Sequence, residues 1–191
     1  METRAPISRT IFGLERQGLG WTLAIGAVAF VLAVGLPLLD AAVPTDHAPT
    51  AGTVYSVGLG VEITPVENWS TTPRSRAGSG VAEFTRAGAR VTVRATRFSG
   101  TTREAYGRLA AAADAQDGVE LTSNPETFTA RSGLVGIAGS FATPTGQGYL
   151  AAYSAHGVAA TLIGEGATEA FPAVDREIVA MIASLQIGPA P

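Results

Sequence analysis

The chain contains no cysteine. That excludes thiol nucleophiles, cysteine-ligated zinc and a lipid anchor carried on cysteine, and any folded domain must hold without disulfides. Lysine is absent as well, so all 13 basic residues are arginine, a bias expected of a GC-rich coding genome such as an actinobacterial one. Without lysine no Gly-x-x-x-x-Gly-Lys phosphate loop can be written. Only two histidines occur, which rules out a histidine-rich metal site and leaves any imidazole-dependent triad resting on one residue. No Gly-x-Ser-x-Gly elbow, dinucleotide-binding glycine pattern or EF-hand loop is present. The sequence therefore names no catalytic residue, no metal ligands and no cofactor.

Charge is scarce too. Charged residues make up 15% of the chain, against about 25% in an ordinary soluble domain. The formal net charge of −3 gives no reason to expect nucleic acid as a partner. Part of the apolar excess is one run. From Gln17 to Leu39 there are 23 residues without a charge, bracketed by Arg16 and Asp40. As a helix this run would be about 35 Å long, enough to cross a hydrocarbon core of about 30 Å. Arg4, Arg9 and Arg16 precede it, while Asp40 and Asp46 follow it. The positive-inside bias then places residues 1–16 in the cytoplasm and the C-terminal bulk outside. A cleaved export signal is the alternative. The run is longer than the usual 7–15 apolar residues of such signals, and its cleavage windows lack a small first residue. The expectation is an uncleaved single-pass anchor at 17–39, a proline-containing tether at 40–52 and an extracytoplasmic domain at 53–191.

Within that domain, "TVYSVGLGVEITP" predicts two short strands about Gly58 and Gly60. "VAEFTR" and "ARVTVRATRF" flank Ala87-Gly88 as a hairpin, with Val91, Val93 and Ala95 alternating against Arg90, Thr92 and Arg94. Thr101 and Glu104 form a capping-box pattern ahead of a helix, and Gly118 is placed to cap its end. Strands about 119–122 and 127–130 follow. Leu134–Phe141, Gly148–Ser154 and Val158–Ile163 then read as a meander, with His156-Gly157 as its second turn. Pro172 opens a last helix whose apolar stripe is Val174, Ile178, Met181, Ile182 and Leu185. The fold class is α+β, an antiparallel sheet with two packed helices.

Few side chains are candidates for chemistry. His47 belongs to the tether and His156 to a turn that tolerates positive φ. Asp114, Asp117 and Glu120 read as a solvated helix end, and Glu169, Asp175 and Glu177 as the polar face of the last helix. Arginine is the exception. Arg74, Arg76, Arg86, Arg90, Arg94, Arg97, Arg103 and Arg108 stand against Glu83 and Glu104 alone over residues 74–108. One reading is a solvated strand face. The other is a cationic patch that meets an acidic partner, ligand or lipid head group.

The opening "VEITPVENW", the order hairpin, helix, antiparallel sheet and last helix, and the closing "REIVAMIASLQI" together resemble PsbP-like domains, the fold group of the LpqN-type mycobacterial lipoproteins. The resemblance would cover residues 53–188. Lacking the lipidation cysteine, this chain would use a membrane helix in its place. The resemblance implies a non-catalytic binding or assembly module beside a larger membrane or envelope complex. Trp69, Arg86, Arg90, Arg94 and Arg97 are the candidate partner-binding residues. A second expectation is a lipid or small envelope ligand held in a pocket near Trp69, and a third is a hydrolase using His156 or the carboxylates.

Overall fold

The structure, a computed structural model, describes residues 52–73 and 75–189. The expected anchor, most of the tether with His47, and Arg74 lie outside the described residues. Among the described residues no helix is long and apolar enough to cross a membrane.

In chain order the strands are β1 (Tyr55–Gly58), β2 (Val61–Ile63), β3 (Ser70–Thr71), β4 (Val81–Arg86) and β5 (Ala89–Arg97). Helix α1 (Thr102–Asp114) follows, then β6 (Glu120–Leu121), β7 (Glu126–Thr129), β8 (Val135–Thr143), β9 (Gly146–Ala155) and β10 (Val158–Ala167). Helix α2 (Phe171–Ala183) and β11 (Gln186–Ile187) complete the chain. The eight-stranded sheet runs β3-β4-β5-β10-β9-β8-β6, with β7 also paired to β8, and all its pairings are antiparallel. A smaller sheet has the order β1-β2-β11. The resulting α+β architecture matches the expected fold class.

Local chemistry accounts for the long hairpins. Ala87 and Gly88 between β4 and β5 have φ of 48° and 79°, and His156 and Gly157 between β9 and β10 have 52° and 75°. Two consecutive left-handed residues give the turn whose twist suits flanking strands. Along β5 the residues at 89, 91, 93 and 95 are buried while Arg90, Arg94 and Thr96 are exposed, so the period of two holds. Helix α1 starts at a complete capping box, with Thr101 and Glu104 each satisfying the other's backbone N–H.

The two helices occupy opposite faces of the large sheet. Ala105, Tyr106 and Ala113 of α1 pack with Ile137, Phe141, Leu150, Ala152 and Ala159. Phe171, Val174, Ile178, Met181 and Ile182 of α2 pack with Val91, Val93, Ala151, Tyr153 and Leu162, whose side chains point the other way. The small sheet adds Val57, Val61, Ile63 and Ile187 to this second core, and Tyr55 meets Phe84 edge-on at 5.4 Å. Glycine sets the closeness of each helix. A Cβ on Gly139 would collide with the Tyr106 hydroxyl, and one on Gly164 with the Ile178 side chain.

Three details depart from the sequence reading. Gly118 does not cap α1, which ends at Asp114 with Ala115 as its cap; Gly118 instead takes a left-handed φ of 81° before β6. The meander strands run longer than expected, β10 reaching Ala167. The chain after α2 adds β11 to β2 by pairing Gln186 with Glu62 and Ile187 with Val61.

Candidate functional site

Two places on this scaffold present organised chemistry: the arginine-bearing outer face of β4 and β5, and the two flanks of α2.

The structure separates the arginines that sequence grouped together. Arg90 and Arg94 point from the outer face of β5, about 13 Å apart along the strand. Arg90 Nε lies 3.1 Å from Glu83 Oε1 on the neighbouring strand, which neutralises it locally. Arg94 is exposed and takes part in neither ion pair found among the described residues. Arg97 is exposed at the end of β5, opposite Val158. Arg108 of α1 stacks on Phe98, its guanidinium carbon 4.9 Å from the ring centre. Arg86 is elsewhere. It sits at the last position of β4 on the α2 side, with its guanidinium 2.5 Å from Glu177 Oε2 and within 3.3 Å of the Glu67 carbonyl.

Trp69 has no exposed surface and belongs to the main core. Its indole N–H donates to Glu177 Oε2 at 2.8 Å, the same oxygen that holds Arg86. Trp69 is therefore a core residue and offers a surface partner nothing to touch. Glu177 is likewise more than a solvated helix residue: it fastens α2 to the β3–β4 edge. A few residues on, the Ser184 hydroxyl contacts the Thr64 N–H at 3.1 Å and the Met181 carbonyl at 2.8 Å, tying the end of α2 to the chain leaving β2. Leu185 is buried and Gln186 enters β11, which gives the "SLQ" run a structural purpose.

The other flank of α2 is open. Between α2 and strands β8 and β9 lies a cavity of about 670 Å³, lined by Thr122, Gln147, Phe171, Pro172, Asp175 and Arg176 among others. A second cavity of about 410 Å³ continues along the helix, with Phe128, Ala138, Val179, Ile182 and Ala183 in its wall. Ser140 and Tyr149 line both. The Tyr149 hydroxyl donates to Asp175 Oδ1 at 2.7 Å. That bond, with partial burial and the nearby carboxylate charge, pushes the Tyr149 phenol up to about 12. Tyr153, four residues further along β9, donates to the Ile182 carbonyl at 2.5 Å, and burial raises its phenol well above the ordinary value. Sequence reasoning missed this groove. The available signal was Val179, an apolar residue off the buried stripe of α2 and 46% exposed.

His156 is held in its turn at positive φ, and among the described residues no three His, Asp or Glu side chains gather as a metal site. Asp114, Asp117 and Glu120 are exposed, as expected of a solvated helix end and strand start.

No protein-family model matches the chain, and no curated protein matches it. Among solved structures it is similar to the solution structure of cyanobacterial PsbP (CyanoP) from Synechocystis sp. PCC 6803. The TM-score is 0.53 at 17% identity, covering 74% of this chain and 96% of that one. A crystal structure from Bacteroides thetaiotaomicron VPI-5482 matches at TM-score 0.42 and 12% identity, over 73% of this chain and 49% of that one. The first likeness establishes a PsbP-like fold; the second is too weak to add to it.

Proposed function

We propose that the domain is a non-catalytic accessory module, tethered outside the cell membrane by the 17–39 segment with the N-terminus cytoplasmic, and docked on a larger membrane or envelope complex. The observation that carries this reading is the outer face of β4 and β5. Helix α1 packs over β8, β9 and β10, leaving Arg90, Arg94 and Thr96 exposed beside it. A strand face on which Arg94 joins neither ion pair among the described residues, beside Arg90 paired with Glu83, suits an acidic protein surface. Arg97, exposed at the strand end, has the opposite parity and does not belong to that face. The PsbP-like fold supports an accessory role, and the charge bias about residues 17–39 supports the topology.

Affinity purification of the full-length protein from mild-detergent membranes, beside the fragment from Thr53 onward, tests both parts. A stoichiometric partner retained by both forms, and lost on Arg90→Glu with Arg94→Glu, is the expected result. Loss with the fragment alone would assign the contact to the 17–39 segment. An empty purification would sink the accessory-subunit reading.

A further inference from the structure

The open flank of α2 has a polarity gradient along its length. From Pro172 to Ala183 the helix wall extends about 16 Å at 1.5 Å per residue. Its first part offers hydroxyls, an amide and one guanidinium: Thr122, Ser140, Gln147, Tyr149 and Arg176. Its second part is more apolar, with Phe128, Ala138, Val179, Ile182 and Ala183 in its wall, although Asn124 and Glu126 also border it. At the polar end the two formal charges are unequally engaged. Asp175 already accepts the Tyr149 hydroxyl, whereas Arg176 is exposed and belongs to neither ion pair among the described residues. Val179 keeps 46% of its surface exposed on the groove side, an apolar exposure that helix packing does not use.

We propose that this groove binds the free carboxylate form of a long-chain fatty acid, alkyl chain toward Val179 and head toward Arg176. The gradient matches an amphiphile laid along the helix, because each methylene withdrawn from water strengthens binding roughly fourfold. Arg176, the one guanidinium among the described residues lining the groove, matches a singly charged carboxylate, which it meets with two parallel N–H donors. A doubly charged phosphate head would meet the Asp175 carboxylate next to Arg176, and so is the poorer fit. Ser140 and Tyr149, common to both cavities, mark where head gives way to chain. This site is on the α2 face of the sheet, whereas Arg90 and Arg94 point from the α1 face, so it does not rest on the partner reading.

The test is photolabelling of the full-length protein in phosphatidylcholine nanodiscs with a diazirine analogue of hexadecanoic acid, mapped by peptide mass spectrometry. Labels are expected on the stretches 126–128 and 179–183. Competition should be stronger by hexadecanoic acid than by lysophosphatidate or hexadecanol. Arg176→Gln should erase the preference for acid over alcohol, about fivefold, the scale of an exposed ion pair. Val179→Asp should cut labelling by the acid roughly tenfold or more, since a carboxylate set against the alkyl chain opposes its burial. Label confined to residues 17–39, or spread over the surface and indifferent to Val179→Asp, would overturn the site. Equal competition by acid and alcohol would overturn the carboxylate head. Retention of the protein partner by Val179→Asp is expected, so failure of this site and failure of the accessory reading give different results.

Discussion

Helix α2 is treated differently on its two sides. On one, Trp69 is wholly buried and Glu177 gathers its indole N–H and the Arg86 guanidinium on one carboxylate oxygen. The small sheet adds to the same core. On the other, the helix leans over β8 and β9 with a groove between them, spanned by the bond from Tyr149 to Asp175. The difference teaches where stability and binding are separated. The Trp69 side spends its polar groups on one another, while the Tyr149 side leaves Arg176 and Val179 facing solvent.

Substitutions can break this contrast, and the largest effect belongs to the sealed side. Trp69→Ala removes the largest of the fully buried side chains and leaves Glu177 with only Arg86. The expected loss is about 3–5 kcal/mol, measured by denaturant unfolding. A loss under about 1 kcal/mol would mean that the sealed side does not carry the domain's stability. Glu177→Ala comes next. It strands a buried indole N–H and frees Arg86, and the expected cost is about 1–3 kcal/mol, with Glu177→Gln milder because its amide oxygen still accepts.

Much of this architecture was legible in the sequence where the determinants are local. Ala87-Gly88 and His156-Gly157 announce turns because few residues tolerate two successive positive φ values. Thr101 with Glu104 announces a helix start, and the period-two burial of β5 follows from its alternating valines and arginines. What stayed hidden depends on distant partners. Strand β11 has two residues and exists only because β2, far earlier in the chain, offers Glu62 and Val61 as partners. Arg86 reads as one more member of a cationic run, yet its place at the end of β4 turns it toward α2 and Glu177. Trp69 reads as a candidate partner contact beside an expected ligand pocket, whereas its neighbours in space are the core. The groove could not be read at all, since it is the gap between elements, and only the unused apolar residue Val179 hints at it.

On the open side, Tyr149→Phe should cost about 0.5–1.5 kcal/mol near neutral pH, the scale of one hydrogen bond lost without a cavity. Its alkaline behaviour sharpens the point. In the folded chain the Tyr149 phenol is raised from 10.0 to about 12, first by its bond to Asp175 and then by burial. Below the unfolded value both states keep the proton and the contribution is fully present. As pH climbs from 10 toward 12 the unfolded chain ionises first, and stability falls through that window. Tyr149→Phe should therefore unfold less steeply with rising pH, though still falling because Tyr153 is raised by burial as well. An unchanged slope, followed by tyrosinate absorbance and unfolding together, would show that the Tyr149–Asp175 bond does not persist in solution.

Val179→Asp is the smallest of these effects on stability and the most informative about the comparison. The side chain is 46% exposed and outside the buried stripe, so the expected change is within about 0.5 kcal/mol by denaturant unfolding. The same substitution places a carboxylate in the apolar part of the groove. If stability is unchanged while fatty-acid labelling collapses, an exposed valine is explained by ligand rather than by packing. If stability falls by more than about 1 kcal/mol, Val179 is part of the helix's own support. The open flank would then be a shallower version of the sealed one, and the division of labour across α2 would fail with it.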